Sequence, residues 1–153
     1  GPFNVDFRIK NDREIIIIEI APRNGANYFP QIIKHCTGVD LVAAIFDCAH
    51  EKTPDFEIRM SNYAASFILY STEDGVIHDI SIARELERFI LQKDIVKQTG
   101  DVINSYQHLG NSAGIVNLGF KSASELKNIV SKKEHLIKIT LDKYIEELNS
   151  TQV

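Results

Sequence analysis

The sequence is short of the residues that mark several common chemistries. It has 2 cysteines in 153 residues, Cys36 and Cys48, set in apolar stretches of helical spacing. A disulfide between them is one reading. Free buried thiols in a reducing cytoplasm is the favoured one, because nothing in the spacing signals a bridge. There is no CxxC, no HExxH and no pair of histidines at helical spacing, which disfavours zinc. There is no GxxxxGK(S/T), and no glycine run precedes a helix, so a phosphate cradle of that type is not supported. No apolar run reaches the roughly 20 residues a membrane helix needs. No signal peptide is recognisable, and the opening Gly1-Pro2 fits a trimmed tag or a truncation point. Positive charge is not in excess: 17 Lys and Arg stand against 21 Asp and Glu, a formal net charge of −4. With a pI near 5.7, that argues against a nucleic-acid footprint. Charged residues make up 25% of the chain, which predicts a soluble protein. Internal repeats and low-complexity segments are absent.

What the sequence does have is concentrated at its start, GPFNVDFRIKNDREIIIIEIAPRNG. This stretch reads as two strands joined by a short polar turn at Asn11-Asp12. Side chains alternate along a strand, so Asn4, Asp6 and Arg8 share one face and Val5, Phe7 and Ile9 the other. The second strand is the run Ile15 to Ile18, closing in Glu19-Ile20. A two-residue loop sets Asp6 against Ile17 and Glu19 diagonally beside Asp6; a four-residue loop sets Asp6 directly opposite Glu19. Either register brings both carboxylates to one face. The other face is apolar and is expected to belong to the core.

Two like charges on neighbouring strands repel unless one takes a proton or a cation joins them. Mg²⁺ is commonly held by one or two carboxylates, with phosphate and water completing the shell. Arg23 lies four residues beyond Glu19, on the same face if the chain stays extended, and an arginine there suits phosphate or carboxylate. An ordinary solvated hairpin face would carry the same Asp and Glu, and spacing alone does not separate the two readings.

GPFNVDF, IIEIAPR and the later TGVDL together resemble the C-terminal lobe of the ATP-grasp superfamily, as in carbamoyl-phosphate synthetase-like, biotin carboxylase-like and L-amino acid ligase-like chains. The family pattern is an acidic or amide residue on one strand, then Glu-x-Asn-x-Arg closing the next. The resemblance implies Asp6 and Glu19 as metal ligands, Arg23 as the catalytic contact to phosphate and acyl phosphate, and Asn24 as a cofactor-binding residue. ATP and Mg²⁺ (or Mn²⁺) are the implied cofactors. Ala21 departs from the family's common Asn, which puts the coordination of a second metal in question. Branches reading Glu-x-Ala-Pro-Arg lack that Asn as well.

Past Gly25 the pattern turns helical. Pro30 suits a first turn, and Phe29, Ile32, Ile33 and Cys36 are expected to face the core. Thr37-Gly38 ends that helix. Asp40 caps a second, with Leu41, Ala44, Ile45 and Cys48 as its buried stripe. Strands are expected at 56–60, 64–70, 76–80, 90–96 and 115–119, with a turn at Glu73-Asp74-Gly75 and a short helix over 82–89. Ser122 with Glu125 forms a capping box that opens a helix to about Ser131. The stretch 136–148 is ambiguous between helix and strand, and the tail from Asn149 is polar.

The expected fold class is α+β: an antiparallel sheet with flanking helices (1–53 with 54–62), then a small β-rich subdomain (63–148) and a polar tail (149–153). From about Tyr63 to Val130 the turns also resemble the β-rich subdomain of many ATP-grasp ligases. The function implied by the resemblance is an ATP-dependent ligase, acting when intact, which activates a carboxylate as an acyl phosphate and joins it to an amine or similar nucleophile. The lysines and flap that clamp phosphates in that family lie upstream of this stretch. The chain is therefore expected to be a largely inactive fragment needing the N-terminal ATP-grasp lobe, with a homodimer as a further partner and the cytoplasm as its location. The alternatives are a non-catalytic binding or dimerisation module and a nucleotide-sensing regulatory domain.

Overall fold

A computed structural model describes residues 1–142. The chain divides into two compact units, Gly1–Ala64 and a second that begins at Ala65. Among the described residues no helix is long and apolar enough to cross a membrane.

The first unit opens with an antiparallel hairpin of β1 (Asn4–Lys10) and β2 (Glu14–Ala21). Asn11 and Asp12 take left-handed conformations (φ 51° and 56°), which asparagine and aspartate tolerate best among residues with a side chain. The Arg13 N–H closes the turn on the Lys10 carbonyl at 3.2 Å. The helices α1 (Phe29–Thr37) and α2 (Leu41–Ala49) follow. Proline in the first turn starts α1, and Gly38 stops it at φ 84°, its N–H on the Lys34 carbonyl. Asp40 caps α2, its carboxylate accepting from the N–H groups of Val42 (3.1 Å) and Ala43 (3.0 Å).

Two expectations fail in this unit. The segment 56–60 forms no ladder, although its apolar and charged residues alternate. Instead the N–H groups of Arg59 and Met60 donate to the Thr37 carbonyl, and that of Asn62 to the Cys36 carbonyl. These bonds satisfy carbonyls that the last turn of α1 leaves without an intrahelical partner. The apolar face of the hairpin is not a core face either. Val5, Phe7, Ile9, Ile15, Ile17 and Ile20 are between 42% and 65% exposed. In α1, Phe29 is exposed and no residue is fully buried; in α2 only Ala44 is, while Cys48 is exposed. Cys36 and Cys48 are both free thiols, and burial pushes the Cys36 thiol up from its usual range.

The second unit has the substantial core. Its strands form two antiparallel-rich sheets of three, ordered β3-β7-β5 and β6-β4-β8, from β3 (Tyr63–Leu69), β4 (Gly75–Ile82), β5 (Ile90–Ile95), β6 (Val102–Ile103), β7 (Gly114–Phe120) and β8 (Ile137–Asp142). Leu69, Ile77, Leu86, Ile103, Val116, Leu118 and Phe120 are almost completely buried and pack as one cluster. The expected helix over 82–89 is a 3-10 helix, Arg84–Phe89, which buries Leu86 and Phe89. Ser122 caps α3 (Ala123–Ser131) by accepting from the Glu125 N–H at 3.2 Å. The Glu125 carboxylate reaches back to the N–H of Lys121 at 3.0 Å, one residue earlier than in a standard capping box. After a single turn, α4 (Lys133–Leu136), the ambiguous stretch becomes strand β8, paired with β4. The remainder of that stretch, 143–148, and the polar tail from Asn149 lie outside the described residues.

Candidate functional site

The hairpin ladder starts at Lys10↔Glu14, so the connection is three residues long. Continued without interruption, that register would set Asp6 against Ile18 and turn Glu19 to the opposite face. The register shifts between Phe7 and Asp6: Phe7 faces Ile17, and Asp6 faces Glu19. Ile18 is the extra residue of a β-bulge, and one extra residue reverses the face of everything beyond it. The polar face therefore carries Asn4, Asp6 and Arg8 on β1 with Glu19 on β2, and Asp6 stands directly opposite Glu19.

Both acids are exposed. The Asn4 amide Nδ2 donates to Asp6 Oδ1 at 3.1 Å and so orients that carboxylate. Sequence reading placed Asn4 on this face without giving it a role; the signal was its position two residues before Asp6. Ala21 is the cross-strand partner of Asn4 and brings no donor or acceptor side chain. Among the described residues there is no group of three or more His, Cys, Asp and Glu side chains that could hold a metal ion. The protein donors here are two carboxylates.

Arg23 does not continue the strand. β2 ends at Ala21, and the Arg23 N–H folds back on the Ala21 carbonyl at 2.8 Å. Its guanidinium donates to the Asn24 carbonyl at 3.0 Å and is exposed. The condition of an extended chain through Arg23 is therefore not met. Asn24, next in the chain, is half-buried and holds Arg23 by its main chain.

No protein-family model matches the sequence, and no curated protein matches it either. Solved structures do. The chain is similar to phosphoribosylglycinamide synthetase from Anaerococcus prevotii, at 20% identity and a TM-score of 0.73, over 92% of this chain and 37% of that one. It is also similar to L-amino acid ligase from Bacillus licheniformis, at 19% identity and a TM-score of 0.78, over 94% of this chain and 36% of that one. At these identities the likeness is one of fold, and the fold is that of an ATP-grasp ligase lobe, α+β with antiparallel sheets and flanking helices. The chain spans little more than a third of the length of either structure.

Proposed function

We propose that this chain is the metal-site lobe of an ATP-dependent ligase that activates a carboxylate as an acyl phosphate and joins it to an amine or a similar nucleophile. The observation that carries this reading is the direct opposition of Asp6 and Glu19 on the polar face of the hairpin. Two carboxylates held across a ladder repel, and a divalent cation turns that repulsion into attraction. Hard oxygen donors of this kind suit Mg²⁺ or Mn²⁺, with nucleotide phosphates and water filling the other positions. Asp6 and Glu19 would hold the cation. Bound there, it would neutralise charge on the phosphates of ATP.

The chain's own residues do the positioning. Asn4 fixes the Asp6 carboxylate. Ala21, where the family's common Asn stands, leaves β2 with a single donor, which favours one cation over two. Arg23 keeps most of its five N–H donors free of the Asn24 carbonyl, and its planar fork fits a phosphate or carboxylate edge. Asn24 sets the place from which that fork reaches the nucleotide.

The exposed apolar face of the hairpin supports the other half of the reading. An isolated two-stranded hairpin is marginal in water, and apolar patches of this kind mark contact surfaces. We assign the face to the remaining ATP-grasp lobe, which would bring the phosphate-clamping lysines; without it the chain would turn over little substrate. ATP, a small carboxylate and an amine are then its ligands, and the cytoplasm its setting. A dimerisation module would use the same apolar face, but it has no use for two acids opposed across a ladder.

The test is Mn²⁺ binding to the chain, followed by electron paramagnetic resonance with and without ATP. Weak binding is expected, strengthened by the nucleotide, and lost in the Asp6→Asn, Glu19→Gln double variant while circular dichroism stays unchanged. Binding that survives in that variant would remove the metal from these residues and the proposal with it.

A further inference from the structure

The second unit has a cavity of about 570 Å³ that the ligase reading does not use. It is walled by consecutive residues on both sides, 66–72 along and beyond β3 and 137–140 along β8, with Lys133 and Glu134 at its rim. Successive residues of a strand point to opposite faces, so a cavity lined by an unbroken run meets the strand's edge rather than one of its faces. Both strands are edges: β3 ends the sheet β3-β7-β5, and β8 ends the sheet β6-β4-β8. Among the described residues two free strand edges thus border one gap. A free edge is a row of unpaired N–H and C=O groups and a template for another strand.

We propose that this gap takes an extended peptide segment of a partner protein, which pairs with β3 on one side and β8 on the other and joins the two sheets into one. The volume agrees with that occupant. A residue in a packed strand takes up about 160 Å³, from a rise of about 3.3 Å, a strand spacing of about 4.8 Å and a sheet spacing of about 10 Å, so the cavity holds on the order of four residues. The walls also define the side chains. Phe67, Leu69, Ile137 and Ile139 belong to or pack against the core cluster, so alternate residues of the peptide should be apolar and extend that core. Ser66, Lys138 and Thr140 lie on the other face of their strands and are exposed. The intervening peptide residues should therefore be polar, and acidic beside Lys138. Main-chain pairing supplies the affinity and alternate side chains the specificity, as in other cases of strand addition.

The experiment uses the full 153-residue chain and an acetylated, amidated hexapeptide of alternating valine and glutamate. A second peptide of the same sequence carries N-methyl groups on alternate amides, which removes donors along one edge. Titration is followed by calorimetry and by amide hydrogen exchange. The expected result is saturable binding, slowed exchange on β3 and β8 together, at least tenfold weaker binding of the N-methylated peptide, and about two- to fivefold weaker binding to Lys138→Glu, the range of one exposed ion pair. Equal affinity for the two peptides would mean that the cavity takes apolar side chains without backbone pairing, and would overturn the proposal. So would protection confined to one strand, absence of binding at millimolar peptide, or protection of both strands that rises with protein concentration alone, which would make the occupant a second copy.

Discussion

Asp6 faces Glu19 directly across the β1–β2 ladder, and it does so because Ile18 has no cross-strand partner. The three-residue connection at 11–13 is of the wrong parity for a shared face. The bulge at Ile18 corrects it immediately before Glu19. Bulges are common where a strand must re-aim a side chain beside a functional site, and here the effect is to place two acids together that the turn alone would separate.

The exposed isoleucines of the hairpin make the first prediction. In the chain as described, Ile15→Thr and Ile17→Thr remove side chains that are largely in water. Each is expected to change stability by no more than about 0.5 kcal/mol, the range of surface substitutions, and to lower binding of an apolar dye. In a preparation carrying the complementary ligase lobe, the same substitutions should each cost about 1.5–3 kcal/mol of stability, the worth of a fully buried aliphatic side chain. Chemical denaturation of both preparations measures the difference. Equal effects in the two would mean that the lobe does not cover this face.

Asp40 gives a pH dependence with a defined sign. The Ala43 N–H, then the Lys34 ammonium at 2.6 Å, hold its carboxyl below the usual carboxylate range. A carboxyl depressed in the folded state contributes stability that is complete above its unfolded pKa and is lost as pH falls through its folded one. Stability of the first unit should therefore fall on acidification below about pH 4. Asp40→Ala should cost about 1 kcal/mol at neutral pH, as other lost N-caps do. Asp40→Asn should keep much of the cap and flatten the acid limb. An acid limb of unchanged slope in Asp40→Asn would assign it to other carboxylates.

Gly114 is the glycine whose replacement should be most damaging. It opens β7 at φ 150°, and a Cβ there would meet the Asp94 carbonyl and lie 2.8 Å from the Ile95 Cα. Backbone atoms of a paired strand cannot swing aside as a flexible side chain can. Gly114→Ala should cost about 2–4 kcal/mol, combining backbone strain with displacement of the β5–β7 ladder. Gly100, at φ 92° but with open space around it, should cost about 1–2 kcal/mol on the same change. Thermal melts of the two variants test the ranking, and similar melting points would remove the steric argument.

Much of this was legible in the sequence. Alternation with a polar turn marked the hairpin, Ser122 and Asp40 marked their helices, and the strands of the second unit stood out between turn residues. Four things were not legible, each for a physical reason. The bulge lies in Ile15–Ile18, where identical side chains carry no mark of register; the two- and four-residue loops read from the pattern share one parity, and the three-residue connection has the other. The apolar face of the hairpin was visible, but periodicity tells which face is apolar and not what covers it. Residues 56–60 alternate like a strand, yet a strand exists only with a partner; here the backbone spends its N–H groups on the end of α1. The same limit applied to Arg23, whose aim rested on an extended chain that instead bends after Ala21.

That bend makes Arg23 the residue with the sharpest test. Its guanidinium is exposed and tied to the neighbouring Asn24 carbonyl by one hydrogen bond, which leaves most of its N–H donors open to a ligand. If it merely offsets the charge of the two acids, lysine serves nearly as well. If it grips a phosphate or acyl-phosphate oxygen through two parallel N–H groups, lysine cannot reproduce the contact, because an ammonium is a point charge without a fork. A donor whose contact strengthens in the transition state is worth about 2.7–4 kcal/mol, roughly a hundredfold or more in rate. In the proposed ligase, with a nucleotide lobe present, Arg23→Lys is expected to lower kcat by that order while KM for ATP changes far less, the pattern of an interaction made in the transition state rather than in the bound substrate. Steady-state kinetics with saturating carboxylate and amine measure both constants. Near-normal kcat in Arg23→Lys would reduce this residue to charge balance and leave Asp6 and Glu19 as the residues of the proposed site.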